Sequence, residues 1–535
     1  MNVQHKELRD KGRNIMALLL AAASLVLLAW SGLADAQSSR HHDPLPQPET
    51  EATPVATATN TVTSAGTWKP LVNPAPEDIG VMMLLSDGTV AANGYYDNTW
   101  YRLTPDSKGS YVKGTWSQLA SMKYQRLYFQ SDLLPDGNIY VSGGEYGNAP
   151  AGSAELYDPV ANTWTELANA TTVYSDVNFA DGLSIVLPDG NVLVYSVGGT
   201  DCVDYLAGIY EGATLIYNVA TNTWSAAACS LGDQDESTWV KLPDTSILSL
   251  DLYSTTSERF LSSTNEWIAD APPPVDLFNV NGELGGGFLL PNQKVFYIGG
   301  TNQTLLYTPS GNTNPGTWTE GPSLPNQDGV AIGANDAPAA MMANGNVLMA
   351  EDPYACGYCG PTYFFVYDYH RNSLTAIEAP GGGTSLPGVA FVDDMLDLPD
   401  GSVLVSPFGS QLYTFTPAGR QVEAGAPRIH GVTRNHDGSY HVTGVGFNGI
   451  SGGADYGDEN QNSTNYPIAR LTDFNGDVYY ARTYNWSSTG VATGDTKVST
   501  EMALPEGIPH GVYLLTISAN GISSDLSLGS LFFYF

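Results

Sequence analysis

The sequence predicts an all-β chain in which a seven-bladed propeller is followed by a β-sandwich. Three observations carry that prediction. The composition of the 535 residues is rich in glycine (57), tyrosine (31) and tryptophan (10) and holds only 14% charged residues, a balance that favours strands and turns over helices. A turn tetrapeptide recurs along the chain at near-constant spacing. Past about residue 427 the repeat gives way to alternating strands of a different kind.

The chain opens with Lys6, Arg9, Lys11 and Arg13, an apolar run from Ile15 to Trp30, and Ala34-Asp35-Ala36. A basic start, an apolar stretch short of the roughly 20 residues a span needs, and small residues before Gln37 predict a signal peptide over 1–36. Residues 37–65 are mostly Ser, Thr, Ala and Pro and read as a disordered linker, since they offer too little apolar surface to offset ordering entropy. The formal charge is −34, from 21 basic and 55 acidic residues. Such a field argues against nucleic acid and anionic membrane surfaces as partners. Removal of the leader takes away four basic and three acidic residues, leaving 17 − 52 = −35. The acidity therefore belongs to the exported protein, which is expected to be secreted, periplasmic or held at the cell surface, with no membrane span once the leader is cleaved.

Residues 66–426 carry the repeat. Leu85-Ser86-Asp87-Gly88, Leu134-Pro135-Asp136-Gly137, Leu187-Pro188-Asp189-Gly190 and Leu398-Pro399-Asp400-Gly401 are its clear copies, with weaker ones starting at Leu242, Leu290 and Met342. Their first residues step by 48 to 56 positions. Pro presets φ and Gly accepts positive φ, so each copy is a tight turn between two short strands. Several following strands end in a glycine pair (Gly143-Gly144, Gly198-Gly199, Gly299-Gly300). A tyrosine and a tryptophan come next: Tyr157 with Trp164, Tyr217 with Trp224, Tyr307 with Trp318. Seven units of about 50 residues, each of four strands, make seven blades. The seventh lacks its last strand, and Gly66-Thr67-Trp68-Lys69-Pro70 supplies it from the other end, closing the ring.

Over 427–535, segments such as Tyr440–Val445, Pro467–Thr472 and Val512–Ala519 alternate, with Asn475-Gly476 as a hairpin turn. The length suits an immunoglobulin-like domain.

The order of glycine pair, tyrosine and tryptophan resembles the kelch repeat. Blades two and three match it fully; blade four lacks the glycine pair and blade six has no tryptophan after Tyr367. A kelch propeller followed by an immunoglobulin-like domain is similar to galactose oxidase and glyoxal oxidase, and Cys356-Gly357-Tyr358-Cys359 resembles the small disulfide loop near that family's active site. The resemblance implies copper held by two tyrosines and two histidines, with one tyrosine cross-linked to cysteine. The matching positions do not carry that set. The Tyr-His pair falls at Asn335-Asp336, the cysteine at Val81 or Gln130, and the remaining histidine near Tyr484-Asn485-Trp486. Tyr128 is placed as a channel aromatic at a ligand-tyrosine position, and His430, His436, His441 and His510 have no obvious loop match. No catalytic set is assigned, and copper is not expected because it prefers imidazole and thiolate to carboxylate.

The four cysteines of an exported protein are read as structural clips, Cys202 with Cys229 and Cys356 with Cys359. A carboxylate precedes the inner strand of most blades: Asp78, Asp181, Glu236, Glu283 and Asp336, with Asp393 or Asp394 in blade seven. Five of them stand nine or ten residues before the glycine slot of their own turn, which places them at similar height around the central channel. Such a ring would gather cations, bind Ca²⁺ or hold sugar hydroxyls; loop capping is the competing reading. No other cofactor is expected. The functional expectation is an exported binding protein for an extracellular glycan or protein ligand. The alternatives are a copper-radical oxidase with a rearranged site and a carbohydrate-active hydrolase or lyase using the channel carboxylates.

Overall fold

Seven antiparallel blade sheets, six of four strands and the sixth blade extended to five, follow one another around a channel in the computed structural model, which describes residues 65–535 apart from 199–201, 205–208, 211, 457–461 and 525–530. The expected signal peptide and nearly all of the expected linker lie outside the described residues. No described helix is long and apolar enough to cross a membrane.

The inner strands of blades one to seven are Ile79–Leu84, Gln130–Leu133, Ser184–Val186, Val240–Lys241, Leu284–Leu289, Pro338–Met341 and Asp393–Asp397. Each runs to its turn tetrapeptide, and the turns share one face of the propeller. In every turn the Asp or Asn at the third position accepts the amide N–H two residues on, as Asp136 does from Asn138 (3.0 Å) and Asp400 from Ser402 (3.1 Å). Blade seven closes as expected: Gly66–Pro70 pairs with Tyr413–Pro417 in the register Trp68↔Phe415.

The repeated aromatics pack blade on blade. Tyr157 and Trp164 lie 5.1 Å apart, Tyr217 and Trp224 5.2 Å, Tyr307 and Trp318 4.8 Å. Each tryptophan then reaches a neighbouring blade. The Trp224 indole N–H donates to Ala168 O (2.6 Å), that of Trp164 to Ala120 O (2.9 Å), and that of Trp68 to Glu378 O (2.7 Å). These are structural rings satisfied at their polar edge.

The C-terminal strands form an eight-stranded antiparallel sheet that curls around its own core of Val442, Leu471, Met502, Leu515 and Ile517. The strand Val478–Tyr484 makes the bend, since its first half pairs with Ile468–Thr472 and its second with Val498–Ala503. This unit covers the turn face. Tyr466 Oη donates to Leu84 O (2.5 Å) and Thr489 Oγ1 to Leu187 O (2.8 Å). Tyr480 packs so closely on Gly88 (φ 73°) that a β-carbon there would lie 2.5 Å from its ring.

One excursion was not foreseen from the sequence. Ala454–Tyr456 leaves the C-terminal unit and pairs antiparallel with the inner strand of blade six, Tyr456 opposite Pro338 and Asp455 opposite Ala339. The segment thus plugs the channel from the turn face upward. Asp455 accepts from Thr238 Oγ1 (2.8 Å), and Asn462 donates to Asp394 Oδ1 (2.5 Å).

Candidate cation site at the channel mouth

The inner strands begin at the face opposite the turns, and there the predicted carboxylates stand. Asp181, Glu236 and Asp336 share one backbone state at the entry to their strands, with φ of 48°, 56° and 53°. This left-handed state is tolerated by Asp and costs a Glu about 1 kcal/mol or more. Glu283 stands one residue further from its turn slot, and its strand carries a register shift between Leu284 and Gly287. A bulge inserts one extra residue, so the two offsets of nine and ten describe one height.

Four of the predicted ring residues come together, with Asp235 as a fifth. Glu236, Glu283 and Asp336 form one triad and Asp181, Asp235 and Glu236 a second. In each, one oxygen per residue lies within 4.8 Å of the others. Glu283 and Asp336 are buried, at 1% and 2% exposure, while the other three are half-buried.

The loops that hold them are pinned by buried amides. Asn279 Oδ1 accepts the N–H groups of Asn281 (2.8 Å) and Glu283 (3.1 Å), and Asn279 Nδ2 donates to Asn335 Oδ1 (2.5 Å). Gln234 fixes the next loop: its N–H donates to Tyr195 Oη (3.0 Å), its Nε2 to Glu258 (2.7 Å), and its Oε1 accepts from Trp239 Nε1 (2.7 Å). Tyr358, at the tip of the Cys356–Cys359 loop, donates its hydroxyl to Glu283 Oε1. Both expected disulfides are present.

Burial first, and Asp336 second, hold the Glu283 carboxyl well above the usual carboxylate range. No N–H or O–H donor reaches its buried Oε2, and the Asp336 carboxyl lies within hydrogen-bond range of Glu283. Two carboxyls this close either share a proton or stay ionised around a cation.

The expected ring is half a ring. Asp78 is exposed, its backbone oxygen accepting from Tyr95 N–H (2.9 Å), and stands outside both triads. Asp393 and Asp394 lie within the inner strand of blade seven, lower in the channel. Asp394 accepts from Met82 N–H (2.7 Å) and from Asn462, so it ties blade seven to blade one and to the plug. Aromatic side chains occupy the other half of the mouth. Tyr128 (φ 50°) stacks on Tyr456 at 6.1 Å, contacts Phe391 at 6.1 Å and shares a hydroxyl hydrogen bond of 2.7 Å with Tyr95. Tyr358 packs on Phe391 at 5.2 Å and so joins the two halves.

Trp486 lies far from the mouth. It stacks on Tyr466 and its backbone N–H donates to Pro135 O on the turn face (3.2 Å), so the segment 484–486 does not reach the channel. Tyr456 of the plug does. Sequence reasoning also missed Asp235, although its place beside Glu236 was the available signal, and it missed the Tyr358–Glu283 contact. Among the described residues the histidines are elsewhere: His370 in a blade-six turn beside Tyr369, His441 against Glu501 (2.7 Å), and His430, His436 and His510 on the C-terminal unit.

Comparison with known proteins agrees with this architecture. A Kelch motif matches residues 133–171, the second blade and its exit. Kelch-like protein 36 of Mus musculus is 26% identical over 257 residues, covering 43% of this chain and 36% of the relative, and its Rattus norvegicus counterpart matches equally. The chain thus spans about a third of the length of these curated relatives. Among solved structures, a fungal alcohol oxidase of the AA5 family, determined in complex with copper, aligns with a TM-score of 0.51 at 14% identity. That alignment covers 88% of this chain and 99% of the oxidase. At that identity the likeness is one of fold.

Proposed function

We propose that this protein is an exported binding module whose channel mouth holds a hard divalent cation, Ca²⁺ by donor type, and through it the hydroxyls of an extracellular glycan. The observation that carries this reading is Glu283: a buried carboxylate beside Asp336, with one oxygen bound by Tyr358 and the other reached by no N–H or O–H donor. Oxygen-only donors suit Ca²⁺, Mg²⁺ or Mn²⁺.

The donor set does not fit redox copper. The positions that correspond to the oxidase histidine and tyrosine hold Asp336 and Asn335, and every cysteine is in a disulfide. No described imidazole joins the carboxylate triads. The oxidase-like fold therefore brings no copper chemistry to this reading.

The test is capture of the purified chain on an array of immobilised glycans in Ca²⁺ and in EDTA. Capture that needs Ca²⁺ and is lost in Asp336→Asn supports the reading. Capture unaffected by either change contradicts it.

A further inference from the structure

The two triads share a corner, and that sharing is informative. Glu236 belongs both to the buried set with Glu283 and Asp336 and to the half-buried set with Asp181 and Asp235. A carboxylate has two oxygens and about four lone-pair sites, so one residue can serve two ions. We propose that the mouth holds a pair of hard divalent cations bridged by Glu236, an inner one on Glu283 and Asp336 and an outer one on Asp181 and Asp235. This rests on the reading that the mouth takes a hard cation at all.

Three observations favour a pair over a single ion. The first is charge: five carboxylates around one dication leave a formal −3 in a partly buried pocket, and a second dication reduces this to −1. The second is Glu283, whose buried Oε2 meets no N–H or O–H donor and which faces the Asp336 carboxyl, an arrangement that a cation between the two would satisfy. The third is graded access. The inner triad is sealed by Tyr358 and by the Asn279–Asn335 amide pair, while Asp181, Asp235 and Glu236 are partly exposed. The inner ion is therefore the structural one, and the outer ion keeps coordination positions open to solvent. Paired cations in bridged sites sit about 3.5–4 Å apart. Only the outer ion has positions open to a ligand, and two adjacent hydroxyls can chelate one ion, so the class of ligand that would complete it is a vicinal diol, as on a sugar ring.

Mn²⁺ is the probe, because two ions bridged by a carboxylate are spin-coupled. The full chain is loaded with Mn²⁺, dialysed, and read by elemental analysis and low-temperature EPR. The expected result is two Mn²⁺ per chain with a coupled signal. Asp181→Asn should leave one Mn²⁺ with an uncoupled signal, Glu283→Gln the same, and Glu236→Gln should abolish the coupling. Asp78→Asn, outside both triads, should retain two. Asp181 is half-exposed, so its variant keeps the test open even if Glu283→Gln fails to fold. One Mn²⁺ per chain with no coupling in the unmodified protein overturns the pair and leaves the single-cation reading standing. No retained Mn²⁺ overturns both.

Discussion

Tyr128 of blade two and Tyr456 of the C-terminal plug stack with ring centroids 6.1 Å apart and planes 12° from parallel. A residue at the mouth of the propeller thus rests on a residue of the unit that covers the opposite face, reached through the channel. The plug is held below this point by Asp455 on Thr238 and by Asn462 on Asp394. Tyr456 is 2% exposed, so Tyr456→Ala removes a buried aromatic and should destabilise the protein by about 3 kcal/mol. A lowered melting temperature together with new protease cleavage in 446–465 is the expected outcome.

The repeat made the propeller legible. Leu-Pro-Asp-Gly turns, glycine pairs and Tyr/Trp pairs are local signals with local causes, and the closing strand Gly66–Pro70 followed from a missing tryptophan. Equal spacing from those turns also located Asp181, Glu236, Glu283 and Asp336. Asp78 obeys the same spacing yet stands outside the cluster, because spacing along a strand gives height in the channel and not what faces it across the mouth. There Tyr95, Tyr128 and Phe391 fill the space. The plug left no such signal: Ala454–Tyr456 is three residues long, and its partner strand is more than a hundred residues away in sequence. Contacts of that range are set by tertiary packing alone.

The plug is seated among carboxylates, and this gives stability a definite pH dependence. Burial raises Asp397 and Asp394 to about 8 and Asp455 to about 7, against partial relief from their hydrogen bonds. A folded-state pKa above the unfolded value near 4 means that the folded state binds the extra protons. The associated stability is full below about pH 4 and is lost as pH rises through 7 to 8. In metal-free buffer the melting temperature should fall between pH 5 and pH 8.5. Asp397→Asn should flatten that slope.

The two disulfides should separate stability from binding. Cys202–Cys229 spans 27 positions and Cys356–Cys359 spans three, so loop-closure entropy assigns roughly 3.5 kcal/mol to the first and about 2 kcal/mol to the second. Replacing the first pair with serine should lower the melting temperature the more and leave cation affinity unchanged. Replacing the second should loosen Tyr358 from Glu283 and weaken Ca²⁺ binding by about tenfold, roughly one hydrogen bond to a charged group. Paired melting and calcium titrations check both.

Tyr358→Phe isolates that hydrogen bond with the loop intact. The ring keeps its contact with Phe391, so melting should change little, while Ca²⁺ affinity should shift in the same direction as in the serine variant of the second disulfide. An unchanged affinity would show that the phenol takes no part in shaping the site.

The central claim, that the channel mouth is a hard-cation site, is tested most directly by calorimetric titration of Ca²⁺ into the metal-free chain and into Glu283→Gln. Binding should be saturable, should lose its inner, Glu283-dependent site in Glu283→Gln while the outer site remains, and should be unchanged in Asp78→Asn. Absence of saturable Ca²⁺ binding in the unmodified chain, or binding indifferent to Glu283, would contradict it.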